Sequence, residues 1–419
     1  MHIVSVTRSV PHPGITHAGG EYYLRHVTAL RSLGHRVTIV APRTADNERA
    51  AALAPDGVLL YGDGDLSALT RTERLLLRIV PAVVTVRERR AILGDPAVRG
   101  QVALADAVEY QWTQAATLAQ ALSRRGFRTA RRIVVLHDVM TQQTRRQLAD
   151  TAASLGLRAQ RLLKHLAVRA VERRAVAGAD AVVVFSEKDA AEARALRRRG
   201  SDVVTVVRPP LAAGVGERPP RAGAASTFRV LMVGWFRRSD NADAALWLAR
   251  EVWPGVVARL PHARLVLAGG DPTEEMRGLD ARDETVTVTG YLDSLDEEYL
   301  AADAVAIPMR QGAGVKFKTV VAMLQGCPVV STAVGLEGIT DDPALVWRQA
   351  ETPEAFARGL IDAALSPDDA TSVADRARDW ARREFSDEAF RDALTRLFAE
   401  QVHPPAPGCP VAEPSTGAV

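Results

Sequence analysis

Short apolar runs alternate with helix-period segments along almost the whole chain. In the first half, 2–7, 36–41, 107–110, 133–136, 181–185 and 203–207 read as buried strands. Between the first two, Tyr23, Leu24, Val27, Leu30 and Leu33 recur at helical spacing, and Gly34-His35 closes that helix as a glycine cap. Runs apolar on both faces and separated by helices specify parallel sheets covered on two sides. Near Arg208-Pro209-Pro210 the pattern breaks, and 209–225 is rich in Pro, Gly and Ala, as an interdomain linker is. Alternation then restarts, with strands predicted at 229–233, 264–268, 286–289, 304–307, 329–332 and 345–348.

The expected architecture is therefore α/β, with two doubly wound, Rossmann-like parallel-sheet domains facing a central cleft. The first spans 1–208 and the second 226–385. A C-terminal helix over 386–402 is expected to cross back to the first domain, and 403–419, dominated by Pro, Gly, Ala and Ser, to be disordered. Ligands of such sheets bind beyond the carboxyl ends of the strands. Residues 66–92 interrupt the first domain with a basic, leucine-rich stretch containing Leu75, Leu76, Leu77, Ile79 and Val80. It reads as a packed helix, with a lipid-touching surface as the alternative.

Composition adds bounds. The 47% apolar and 25% charged content is that of a soluble globular protein. Two cysteines, Cys327 and Cys409, suit a reducing compartment without a structural disulfide. The opening Met1-His2-Ile3-Val4-Ser5-Val6 is strand-like, with no secretory signal, and no apolar run approaches the roughly 18 residues of a membrane span. A cytoplasmic protein is expected, with a peripheral position on the inner face of the membrane as an alternative. The net charge of +3 hides an asymmetry. Residues 1–208 carry about +13 and the remainder about −10. The first half thus suits an anionic membrane or a phosphorylated acceptor, unless arginine-rich codon usage alone explains it. Nucleic acid is not expected, because the arginines are spread over several helices without interleaved aromatic rings.

The chemistry concentrates in Gly312-Ala313-Gly314-Val315-Lys316-Phe317-Lys318, between a strand and a helix. Free backbone N–H groups at a helix start, beside two lysines, make a seat for a phosphate or diphosphate. The plainer reading is a tight turn with solvated lysines. A second glycine pair, Gly19-Gly20, precedes the first helix. His137, at the end of a predicted strand, is placed to face the cleft. Asp138 beside it would orient it or cap the next helix. No carboxylate pair has glycosidase spacing and no cluster has metal-ligand spacing, so neither a metal nor a cofactor is expected.

The ordered set of motifs resembles a known family. Val233-Gly234-Trp235-Phe236 with Asn241, Trp253-Pro254, Leu267-Ala268-Gly269, Thr289-Gly290-Tyr291, the glycine-lysine loop, Gly326-Cys327-Pro328 and Gly335-Leu336-Glu337-Gly338 occur in order. With Gly19-Gly20-Glu21, Gly34-His35 and His137-Asp138 upstream, they resemble retaining glycosyltransferases of the GT-B fold, family 4. The resemblance covers nearly all of residues 1–400. It implies metal-independent, front-face transfer of a sugar from a UDP, GDP, ADP or dTDP sugar to a small-molecule, natural-product or glycan acceptor.

It also implies His137, Lys316 and Arg237 as catalytic groups. The donor would be held by Gly19, Gly20, Gly234, Gly290, Tyr291, Gly312, Gly314, Val315 and Glu337, and the acceptor would meet His17, Tyr22, Trp112 and Asp138. The departures are local. Where the family often has an acidic pair, this chain has Ala313 and Val321, leaving Glu337 as the nearest candidate for a ribose contact. Trp235 and Asp240 stand where an arginine and a lysine are common, and Arg237, Arg238 and Lys316 are the candidate substitutes. Alternatives are a degenerate GT-B subunit without catalysis, a transferase acting on a lipid-linked acceptor, or an inverting variant with His17 as base.

Overall fold

The computed structural model describes residues 1–15, 18–54, 56–81, 83–123, 130–149, 154–197, 203–212 and 227–399. Two parallel sheets form. The first has seven strands: β1 (His2–Val6), β2 (Arg36–Pro42), β3 (Val58–Tyr61), β4 (Ala107–Gln111), β5 (Arg131–Val135), β6 (Ala181–Val184) and β7 (Val204–Val206). Their order is β3-β2-β1-β4-β5-β6-β7. The second has six: β8 (Arg229–Val233), β9 (Arg264–Ala268), β10 (Val286–Gly290), β11 (Ala304–Ile307), β12 (Val329–Ser331) and β13 (Arg348–Gln349). Their order is β10-β9-β8-β11-β12-β13. The two-domain, doubly wound α/β expectation is met. Each order reverses once, between β1 and β4 and between β8 and β11, which opens a crevice at those strand ends.

Most predicted strands lie within two residues of the observed ones. The edge strand β3 was not foreseen: its four residues are short and three are only half-buried. The last strand is Arg348–Gln349, because Pro343–Leu345 closes into a 3₁₀ turn started by Asp342 and Pro343.

Seven helices frame the crevice and its surroundings: α1 (Ala18–Ser32), α2 (Arg71–Ile79), α3 (Met140–Ala149), α4 (Leu155–Ala177), α5 (Ser239–Trp247), α6 (Phe317–Leu324) and α7 (Asp387–Ala399). The apolar faces of β1, β2 and β5, with Tyr22, Tyr23 and Leu30 of α1, form one layer of the first core. Phe390, Leu394, Leu397 and Phe398 of α7 complete it, and Arg131 donates to the Leu397 carbonyl at 2.8 Å. The last described helix is thus built into the N-terminal domain. Residues 66–92 meet the packed-helix expectation in part: the helix Val86–Gly94 buries Ile92 in the first core, whereas α2 buries none of its residues. The segments 213–226 and 400–419, with most of the linker, the tail and Cys409, lie outside the described residues.

Candidate functional site

The C-terminal wall of the crevice is glycine-rich main chain. Gly234 follows β8, and Gly269 follows β9 with φ +144°. A Cβ on Gly269 would fall 1.8 Å from the Gly234 carbonyl oxygen, so no side chain fits there. Gly312 and Gly314, after β11, have φ +119° and +70°. They turn the chain into α6, whose N-cap is Lys316. Lys316 is buried, and its Nζ donates to the Gly314 carbonyl at 2.8 Å and the Ala313 carbonyl at 3.3 Å. Burial, reinforced by the Lys188 charge, lowers its pKa to about 8. Lys318 donates to Asn241 Oδ1 at 2.8 Å, and burial lowers its pKa to about 7. Such depressed ammonium groups gain most from an incoming anion.

The N-terminal wall is aromatic. The His137 ring stacks on Trp112 at 4.0 Å and meets the edges of Tyr22 and Phe185 at 5.0 and 5.1 Å. Its Nε2 shares a 3.0 Å hydrogen bond with Gln111 Oε1, which fixes the ring plane. Trp112 adopts φ +66°, a left-handed conformation that strains a bulky residue by about 1–3 kcal/mol. Gly19, in the first turn of α1, lies against this stack. A Cβ there would stand 3.4 Å from Trp112 Cζ2 and 3.5 Å from His137 Nδ1. Gly20 is buried in the same turn. Beneath them a polar chain is fully enclosed: His26 Nε2 bonds Glu109 Oε1 at 2.6 Å, Ser5 donates to Glu109 at 3.1 Å, and Tyr23 donates to Ser5 at 2.8 Å. Tyr22 is itself buried, and it reaches the crevice through His137.

The two walls touch. A Cβ on Gly314 would come within 3.0 Å of Asp138 Cβ and 3.3 Å of the His137 carbonyl oxygen. Asp138 is half-buried, and desolvation, then the Asp189 charge, pushes its carboxyl above the ordinary range. Glu337 binds back to the N-terminal domain. Its Oε1 accepts from Gln142 at 2.6 Å and from Arg146, and lies 3.5 Å from Lys188. Burial works to raise its pKa, but Arg146 and Lys188 hold it below the usual value. Arg146 also donates to the Gly312 carbonyl. Glu172 accepts from the Met140 and Thr141 amides at 2.8 Å each and so caps α3, which carries Gln142 and Arg146.

Other predicted residues fall around this centre. Gly290 has φ +73°, and Tyr291 and Trp235 are exposed rings that flank Gly270; Trp235 Nε1 donates to Asp271 at 2.8 Å. Val315 packs in both cores, between the walls. Arg237 is exposed on the turn after β8. Its neighbour Arg238 is the one tied to the loop: it pairs at 2.8 Å with Asp240, whose Oδ2 lies beside Gly312. His17 lies outside the described residues. Arg146, Lys188, Gln111 and Gln142 were not singled out from sequence, since each is an ordinary polar residue on a helix or strand end. Among the described residues, no group of three His, Cys, Asp or Glu is placed to hold a metal ion.

Comparison with known proteins agrees with this fold. Residues 227–365 match the family model of glycosyl transferases group 1. An uncharacterized 44.6 kDa protein in the cps region of Klebsiella pneumoniae is 32% identical over 116 residues, which span 26% of this chain and 30% of that protein. Among solved structures, sucrose-phosphate synthase from Thermosynechococcus elongatus superposes with a TM-score of 0.68 at 19% identity, covering 95% of this chain and 98% of that one. Anabaena HepE, solved with UDP and glucose, gives 0.64 at 14% identity, over 95% and 99% of the two chains. Residues 227–365 therefore form a group 1 glycosyltransferase domain, within a chain whose two sheets have the GT-B fold.

Proposed function

We propose that this protein is a retaining, metal-independent glycosyltransferase that moves a sugar from a nucleoside-diphosphate sugar to a hydroxyl acceptor. The observation that carries the reading is the Gly312–Lys316 loop, buried against His137-Asp138 across the crevice. Its glycine turn and the Lys316 ammonium match the charge of a departing diphosphate, and Arg146 and Lys188 stand close by. Arg146 and Lys188 are themselves paired with Glu337, so Lys316 is the cation offered where a divalent ion would otherwise stand. The group 1 domain and the bound UDP of HepE make a uridine diphosphate donor the first candidate.

Retention is what the group 1 match of residues 227–365 favours, not something either acceptor-side group decides. His137 donates its Nε2–H to Gln111, which sets the ring's orientation, and desolvation raises the Asp138 carboxyl above its ordinary range. The acceptor proton then passes to the departing phosphate oxygen. The anomeric carbon breaks its bond to that oxygen and forms the new one to the acceptor oxygen on the same face. Trp112, Gly19 and His137 would shape the pocket for a small-molecule, natural-product or glycan acceptor.

Thermal unfolding with UDP, GDP, ADP and dTDP, with and without EDTA, tests the reading. A ligand at a hundred times its Kd stabilises the folded chain by about 2.7 kcal/mol. The expected result is a shift with one nucleotide that survives EDTA and is lost in Lys316→Ala. No shift with any of them would favour a catalytically degenerate GT-B subunit.

A further inference from the structure

We propose that the outer faces of α2 and α4 form a docking surface for an anionic lipid bilayer. The last part of α4 packs inward through Val168, Glu172, Ala175 and Val176. The first part, 155–167, runs on for about 20 Å with no fully buried residue. It is not a free-standing arm. His165 bonds Thr144 at 2.9 Å and Arg161 donates to the Gln147 carbonyl at 3.0 Å, so α3 and α4 form an antiparallel pair. Because α3 also carries the residues that reach Glu337 and Gly312, this pair stands at the mouth of the crevice.

The exposed side of the pair is apolar where solvent would favour polar groups. Leu162, Leu163 and Leu166 lie seven, eight and eleven residues beyond Leu155 on one helical stripe, with Leu155 82% and Leu163 64% exposed. On α2, which packs against α4, Leu75 and Ile79 form a second exposed stripe. Aliphatic stripes beside cations are what an interfacial helix presents to lipid. Arg71, Arg74 and Arg78 flank the stripe on α2, while Arg158, Arg161 and Lys164 line α4, with no acidic residue from 155 to 171. That charge decides the occupant. A second copy of this chain would bring like charges together, whereas an anionic leaflet neutralises them. Among the described residues no helix is long and apolar enough to cross a membrane, so the contact is peripheral. An acceptor held in that bilayer would meet the crevice in place, a consequence that rests on the proposed transferase reading; the docking itself does not.

Flotation of the full-length protein with phosphatidylcholine vesicles, with and without phosphatidylglycerol, tests the surface. The expected outcome is binding that is at least about tenfold stronger on the anionic vesicles. Leu162→Glu/Leu163→Glu should weaken it by at least about tenfold, with an unchanged melting temperature. Should that variant melt early, Leu155→Ser and Ile79→Ser read out the same surface. Equal binding to both vesicles, or variants that bind like the parent, would overturn the proposal. So would a dimer in light scattering that the variants dissolve, since the face would then belong to a second copy. A nucleotide-induced thermal shift retained in variants that no longer float separates this surface from the donor site. Parent protein that floats without any nucleotide shift overturns the transferase reading alone.

Discussion

The two walls of the crevice are built from different materials. On the C-terminal side, Gly234, Gly269, Gly312 and Gly314 build the wall from close-packed main chain, and a buried lysine stands beside them. On the N-terminal side, His137, Trp112, Tyr22 and Phe185 make a wall of rings over an enclosed polar chain. Main-chain amides suit a partner with fixed charge and shape, such as a diphosphate. Rings define a cavity by volume and edge contacts, so small changes in side chain redraw it. One wall is therefore intolerant of added atoms, and the other is tunable.

The sharpest way to break this contrast is a methyl group on each side. Gly269→Ala forces a Cβ into the Gly234 carbonyl and should cost more than about 3 kcal/mol, seen as a large fall in melting temperature. Gly19→Ala meets Trp112 and His137 at ordinary contact distances and should change stability by less than about 0.5 kcal/mol. Equal losses in the two variants would abolish the distinction.

Next in size is Lys316→Ala, which removes a buried, hydrogen-bonded charge. Nucleoside-diphosphate affinity should fall by a factor corresponding to about 1.5–3 kcal/mol in titration calorimetry, with the fold intact. On the other wall, Glu109→Leu leaves His26 and Ser5 without their acceptor. It should lower stability by about 1–3 kcal/mol while sparing nucleotide binding.

A smaller effect lies in pH. Since the folded-state pKa of Lys316 is depressed, the empty protein should gain stability as pH rises from about 8 toward the ordinary 10.5. Diphosphate binding needs the charged ammonium and should weaken over the same window, by up to about tenfold per pH unit. Lys316→Arg should flatten the affinity profile. Parallel rather than opposed trends in stability and affinity would remove Lys316 from the phosphate seat.

The contrast also explains which features were legible in the sequence. Strands buried on both faces announce themselves as apolar runs, so two sheets and their order of elements could be read. The half-buried edge strand β3 could not, and β13 moved because Pro343 starts a 3₁₀ turn. The glycine-lysine loop was legible because its chemistry lies within seven adjacent residues. The clasp on Glu337 was hidden, for Arg146 lies 191 residues away and touches it only once the domains meet. Arg237 and Arg238 illustrate the limit: adjacent arginines on one turn are equivalent in sequence, and the direction of a single side chain, toward Asp240, separates them. The leucine stripe of α4 was obscured by its context, because the same helix is packed at its far end.

Glu337 has a mechanical consequence. One carboxylate fastens the second domain to Arg146, Gln142 and Lys188 of the first, so it behaves as an electrostatic latch. Swinging the domains apart would strand those cations unless counter-ions from solution took its place. Salt should therefore screen this clasp, and the hold of Glu337 on Arg146 and Lys188 should weaken as ionic strength rises.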